Sequence, residues 1–269
     1  MQNALEGKYT IHRQIARGGA ARVFFAKDPD GTPVALKVLH PELAVSVTAD
    51  RFLREISFLS NIEHPKISKL IDFGEKDWLV YYVMPYVEGP TLRQHLTEVV
   101  KASVNDTQLI AADLLTALDY AHGEGIVHRD VKPENIVLSS DGPILVDFGI
   151  ARAIASSGQD RLTRSGFAVG TSSYMSPEQV LGDNDIDHRS DIYSLGCVLY
   201  ECLAGRPPFL ASREEIVLSM HQQATPQNIS ELRADAPESL TEAVSRALNK
   251  APGDRWQSAS EMLKVVQRG

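Results

Sequence analysis

Only two cysteines occur in 269 residues, Cys197 and Cys202, both inside one apolar stretch. That is too few for a disulfide scaffold and shows no metal-ligand spacing. Both read as small core residues in a reducing, cytoplasmic setting. No apolar run approaches the roughly 20 residues that span a bilayer, and the N-terminus lacks a signal-peptide pattern. Basic residues are not in excess: 27 Lys and Arg stand against 35 Asp and Glu, a net charge of −8. A nucleic-acid binder would need a basic patch, so that class is excluded. The deficit is uneven, with residues 1–84 at +1 and residues 85–269 at −9. An acidic second half could attract basic peptides but reads first as a solvated surface. Internal repeats and low-complexity tracts are absent. What remains is ordinary soluble composition, 43% hydrophobic and 23% charged, in a length that suits one large domain or two lobes sharing a cleft.

The first ~84 residues read as strands with one helix. Tyr9–Ile15, Val23–Asp28 and Pro33–Leu39 carry β-favouring residues, with a turn at Asp28-Pro29-Asp30-Gly31. Residues 49–62 place Phe52, Leu53, Ile56, Leu59 and Ile62 at helical spacing. Strands are expected again at Ile67–Phe73 and 78–84, before Pro85-Tyr86-Val87-Glu88-Gly89-Pro90 breaks the pattern. The remainder reads as mostly helical. Helices are predicted over 107–123, with Ile110, Leu114, Leu118 and Ala121 in one stripe, and over 191–204, 214–222, 240–249 and 259–266. Between them, residues 150–176 form a long segment rich in Ser, Thr, Gly and Arg, of the kind that is functional or disordered.

The chemistry concentrates in His128-Arg129-Asp130-Val131-Lys132-Pro133-Glu134-Asn135, followed twelve residues after Asn135 by Asp147-Phe148-Gly149. Ile136-Val137-Leu138 and Ile144-Leu145-Val146 read as a hairpin turning at Ser140-Asp141-Gly142-Pro143. Such a hairpin returns the chain so that Asn135 and Asp147 can face one cation. Together the two motifs resemble the catalytic centre of a protein kinase. Further stretches fit. Ile15-Ala16-Arg17-Gly18-Gly19-Ala20-Ala21-Arg22-Val23 resembles the Gly-rich phosphate loop, although its three glycine positions hold Ala16, Gly18 and Ala21. Val34-Ala35-Leu36-Lys37 matches the strand lysine, and Glu55 the helix glutamate that pairs with it. The local pattern at 147–154 and 175–179 is similar to that of PknB-like, Hanks-type bacterial kinases.

The resemblance implies an α+β, two-lobed protein-kinase fold over residues 9–265. The N-terminal lobe would be an antiparallel sheet with one main helix (about 9–84), the hinge 85–89, and the C-terminal lobe (90–265) mainly α-helical. It implies a serine/threonine kinase that uses ATP with Mg²⁺, Mn²⁺ being an alternative. Asp130 would be the base, Lys132 would steady the transferring phosphoryl group, and Lys37 with Glu55 would hold the nucleotide phosphates. Asn135 and Asp147 would bind the metal. Nucleotide contacts fall to Ile15, Ala16, Gly18, Val23, Ala35, Met84, Pro85, Val87 and Val137. Proline at 85 deletes only an N–H that adenine does not use.

The Asp130-x-Lys132 pattern and Gly170–Glu178, with Thr171 docking the acceptor peptide, point to protein substrates rather than small molecules. Arg51, Arg129 and Arg152 would receive a phosphate placed on Thr163 or Ser165 by autophosphorylation. Leu59, Leu70, His128 and Phe148 match a packing column, Glu178 would pair with Arg255, and Asp191 would anchor the catalytic loop. Relatives pair through the first lobe, so a homodimer of that kind is one expectation. Another is that this chain is the cytoplasmic domain of a longer membrane kinase. The rival reading is a pseudokinase scaffold, supported only by the altered Gly-rich loop.

Overall fold

The structure, a computed structural model, describes residues 5, 7–18, 21–40, 54, 56–76, 79–148, 171–183 and 185–268, the side chains of Phe58 and Thr171 excepted. The described residues fall into two units, the first ending at Val87 and the second beginning at Glu88.

The first unit is built on a five-stranded antiparallel sheet of order β1-β2-β3-β5-β4. Its strands are β1 (Thr10–Arg17), β2 (Ala21–Lys27), β3 (Pro33–Leu39), β4 (Asp72–Lys76) and β5 (Leu79–Pro85). Strand β3 is central and buried on both faces after Pro33, which explains its almost unbroken apolar run. Phe24, Ala26, Val34, Leu36, Val38, Tyr81 and Val83 alternate onto one face and form a core with Tyr9 and Leu79.

The predicted strand at Ile67–Phe73 is displaced: β4 begins only at Asp72. Ile67 and Leu70 are buried, and ahead of β4 the Ile71 N–H donates to the Val83 carbonyl. Burial accounts for the apolar residues there. The polar run Asp72–Lys76 is the strand because it lies at the sheet edge, where backbone pairing with β5 suffices. Of the helix expected over 49–62, the described part ends in a 3₁₀ turn at Phe58–Asn61, with Ile56, Leu59 and Ile62 buried.

The second unit carries helices α1 (Leu92–Val99), α2 (Val104–Gly123), α3 (Pro177–Leu181), α4 (Arg189–Ala204), α5 (Glu214–Gln223), α6 (Ile229–Leu232), α7 (Glu238–Ala247) and α8 (Ala259–Val266). It also holds a two-stranded ribbon, β6 (Ile136–Ser139) and β7 (Gly142–Leu145). Ile110, Leu114, Leu118 and Ala121 of α2 are all buried, as their spacing predicts. In α4 every residue after Arg189 is buried. Gly196 on α4 permits a close approach of α7: a Cβ there would lie 2.9 Å from the Ala247 Cβ. Helix α1 was not expected, yet its start is written in the sequence: Thr91 and Gln94 form a reciprocal capping box.

Candidate active site

Asp130 lies between the buried His128 and the 3₁₀ turn Pro133–Asn135, which hands the chain directly to β6. Its carboxylate is gripped on both sides. Lys132 Nζ stands 2.9 Å from Oδ1 and 2.7 Å from Oδ2, and the Asn135 amide nitrogen donates to Oδ2 and to the Asp130 carbonyl, both at 2.9 Å. The Asn135 amide nitrogen is thus engaged, and its amide oxygen is the atom left for a cation.

The β6–β7 ribbon turns through Ser140-Asp141 alone, pairing Ser139 with Gly142 and Ile136 with Leu145. Gly142-Pro143, expected in the turn, are therefore strand residues. One further bond, Val146 N–H to the Asn135 carbonyl at 2.9 Å, extends the pairing and sets Asn135 next to the approach to Asp147. An amide oxygen and a carboxylate are the hard donors Mg²⁺ takes. Their residue types fit that ion.

The loop is strained where the chemistry is. Arg129 and Asp147 have φ of 66° and 65°, values that cost a non-glycine residue about 1–2 kcal/mol. Asp191, wholly buried at the start of α4, compensates at Arg129. It accepts the backbone N–H groups of His128 and Arg129 at 2.8 Å each and contacts His122 Nε2 at 2.8 Å. Burial opposes its charge, but the His122 bond and the Arg129 N–H hold it below the ordinary carboxylate range. His128 Nδ1 accepts the Asp130 N–H at 3.1 Å, so Nε2 carries the proton and donates to the Val146 carbonyl at 3.1 Å. One imidazole thereby ties Asp130 to the strand leading into Asp147. Phe148 meets the same ring edge-on, centroids 4.7 Å apart.

Glu178 and Arg255 form the expected pair, two parallel bonds of 2.7 Å, with Arg255 fully buried. Sequence reasoning missed two features. Arg93 of α1 joins Glu134 (2.8 Å) to Glu201 (2.7 Å) and also bonds the Tyr174 hydroxyl, tying the Pro133–Asn135 turn to α4. The Gln179 side chain donates to the Arg129 carbonyl at 2.8 Å.

In the first unit the register gathers the residues expected at the nucleotide. Val23 pairs with Lys37, Lys37 with Tyr82, Ala35 with Met84, and Ala16 with Val23, so Ala16, Val23, Ala35, Lys37 and Met84 share one sheet face. Lys37 is 9% exposed, on the face opposite the apolar core. Ile15 stands unpaired at an irregularity between Gln14 and Ala16, and Gly18 N–H donates to the Ala21 carbonyl at 2.9 Å. Pro85 ends β5, opposite Val34, with Val87 just beyond it. Leu59 and Leu70 are buried in this unit, while Val137, on β6, belongs to the second. Arg51, Glu55, Arg152, Thr163 and Ser165 lie outside the described residues, as does the Thr171 side chain. The Arg129 guanidinium donates to the Ile186 carbonyl at 3.1 Å.

A family model described as "Protein kinase domain" matches residues 9–266. A Streptomyces coelicolor protein named "probable serine/threonine-protein kinase" is 40% identical over 98% of this chain and 40% of its own length. The serine/threonine-protein kinases PknB of Mycolicibacterium smegmatis and Mycobacterium tuberculosis are each 40% identical, covering 96% and 98% of this chain and 42% and 43% of theirs. The chain thus spans about two-fifths of the length of these relatives. Among the described residues, no helix is long and apolar enough to cross a membrane.

Proposed function

The chain belongs to the protein kinase family, and we propose that it transfers the γ-phosphoryl group of Mg-ATP to Ser or Thr hydroxyls of proteins. The observation that carries this reading is the Asp130 carboxylate clamped between Lys132 and Asn135. A carboxylate fixed in that way can orient an acceptor hydroxyl and take its proton, and the adjacent ammonium offsets charge on the phosphoryl oxygens.

Residues 9–265 form the catalytic domain, hinged at 85–89. Lys37, paired with Glu55, holds the nucleotide phosphates. Ile15, Ala16, Gly18, Val23, Ala35, Met84, Pro85, Val87 and Val137 surround the nucleotide. Asn135 and Asp147 hold Mg²⁺ or Mn²⁺, which supplies charge neutralisation at the phosphates. Thr171 docks the acceptor peptide. Arg51, Arg129 and Arg152 receive a phosphate that the enzyme adds to its own Thr163 or Ser165. Leu59, Leu70, His128 and Phe148 support the frame, with Asp191 and the Glu178–Arg255 pair. The setting is cytoplasmic, and a homodimer through the first lobe fits the family.

The test is intact mass and peptide mapping after dephosphorylated protein is given Mg-ATP, with Asp130→Asn beside it. The parent gains phosphate at 163 or 165, and the variant is slower by about 10²–10⁴-fold. Nucleotide binding without any gain in the parent would instead favour the scaffold reading.

A further inference from the structure

Helix α3 begins just after the docking turn Thr171–Tyr174, and its third residue does two things at once. The Gln179 side-chain oxygen accepts the Ser176 N–H at 2.9 Å, completing the helix cap. Its nitrogen donates to the Arg129 carbonyl at 2.8 Å. That carbonyl belongs to the peptide unit joining Arg129 to Asp130. The other end of the same unit, the Asp130 N–H, is bonded to His128 Nδ1 at 3.1 Å. The peptide that sets the direction of the Asp130 side chain is therefore pinned at both ends. One pin comes from within the catalytic loop and the other from the docking segment, 50 residues away.

The pin matters because Arg129 has φ of 66°, a conformation that surrounding bonds must maintain. Asp191 fixes the N–H side of Arg129. Gln179 holds the carbonyl side, and its loss removes one of the two bonds seen on this peptide plane. A small rotation there swings the carboxylate away from the acceptor hydroxyl, and catalysis is steeply sensitive to such displacements.

We propose that Gln179 is a positioning residue for phosphoryl transfer, acting through the Arg129–Asp130 peptide to couple the docking segment to the catalytic base. The inference rests on the phosphotransfer reading above. Its chemistry distinguishes it from a merely structural cap. Gln179→Glu retains an acceptor for Ser176, since Ser-x-x-Glu is itself a capping box, but an ionised carboxylate cannot donate to the Arg129 carbonyl.

The experiment compares steady-state transfer to a Ser/Thr protein substrate by the parent, Gln179→Glu and Gln179→Ala, all in the full chain, with melting temperature measured alongside. The expected result is a fall in kcat of about 10-fold for Gln179→Glu, with KM for Mg-ATP unchanged and melting within ~2 °C of the parent. Gln179→Ala loses kcat and melting temperature together. An active parent matched by Gln179→Glu in kcat, or a Gln179→Glu loss that falls on KM for Mg-ATP instead of kcat, overturns the positioning role and leaves a helix cap. A parent that transfers no phosphate removes the underlying reading as well, and the parent alone identifies that failure.

Discussion

Arg255 is the largest fully buried side chain among the described residues, and each of its N–H groups has a partner. Nε donates to the Asn249 carbonyl at 2.8 Å. Nη1 donates to Glu178 Oε1 (2.7 Å) and the Arg189 carbonyl (3.0 Å), and Nη2 to Glu178 Oε2 (2.7 Å) and the Lys250 carbonyl (2.7 Å). Glu178→Gln would set an amide N–H₂ against a guanidinium N–H₂ and leave a cation without its counter-charge. Removing one partner of a buried pair costs about 3–5 kcal/mol. At roughly 2–4 °C per kcal/mol for a chain of this size, melting should fall by about 10 °C. Arg255→Lys keeps the charge but offers three donors to five acceptors, so it should lose about 2–4 kcal/mol. Urea unfolding read by the fluorescence of Trp256, buried beside Arg255, is the assay. Acid adds a second signature. Burial works against the Glu178 charge, but its bonds to Arg255 and Ser190 hold the carboxyl below its ordinary 4.5. The stability it contributes is complete above about pH 4.5 and is lost as pH falls towards the lowered value, so parent and Glu178→Gln should converge on acidification. Losses under ~1 kcal/mol in both variants would refute the reasoning.

Two further outcomes are expected. His221 is buried, with Nδ1 2.9 Å from the Tyr193 hydroxyl, and burial first, then the charge of Lys250, holds it at about 3. The unfolded chain binds its proton near 6.5 and the folded chain does not, so stability is full above that pH and should fall by about 2 kcal/mol at pH 5. His221→Gln should flatten this slope in unfolding titrations, and an unchanged slope would assign it elsewhere. Gly89 has φ of 139°, and a Cβ there would lie 2.1 Å from the Leu138 carbonyl oxygen. Gly89→Ala should therefore destabilise the second unit by about 2–3 kcal/mol, whereas a melting temperature equal to the parent's would show that the chain relaxes at no cost.

The geometry around Asp130 was legible because it is local. Asp130, Lys132 and Asn135 lie within six residues, and a hairpin with a two-residue turn carries Asn135 back to the neighbourhood of Asp147. Spacing alone encodes such a site. The stripe of α2 was legible for a similar reason, since a 3.6-residue period fixes which side chains share a face. Strand β4 was not, because Asp72–Lys76 has no pattern of its own and becomes a strand only when β5 presents a free edge. The same distinction separates the two missed contacts from the pair that was foreseen. Glu178–Arg255 spans 77 residues, but the family resemblance implied it. Arg93–Glu201 spans 108 residues with no such guide, and Gln179–Arg129 spans 50 and involves a backbone carbonyl that every residue possesses. An acceptor common to all positions leaves no trace in the amino-acid code. Only the path of the chain, which brings the start of α3 against a loop held at positive φ, gives that amide its partner and makes the geometry of Asp130 depend on a helix cap.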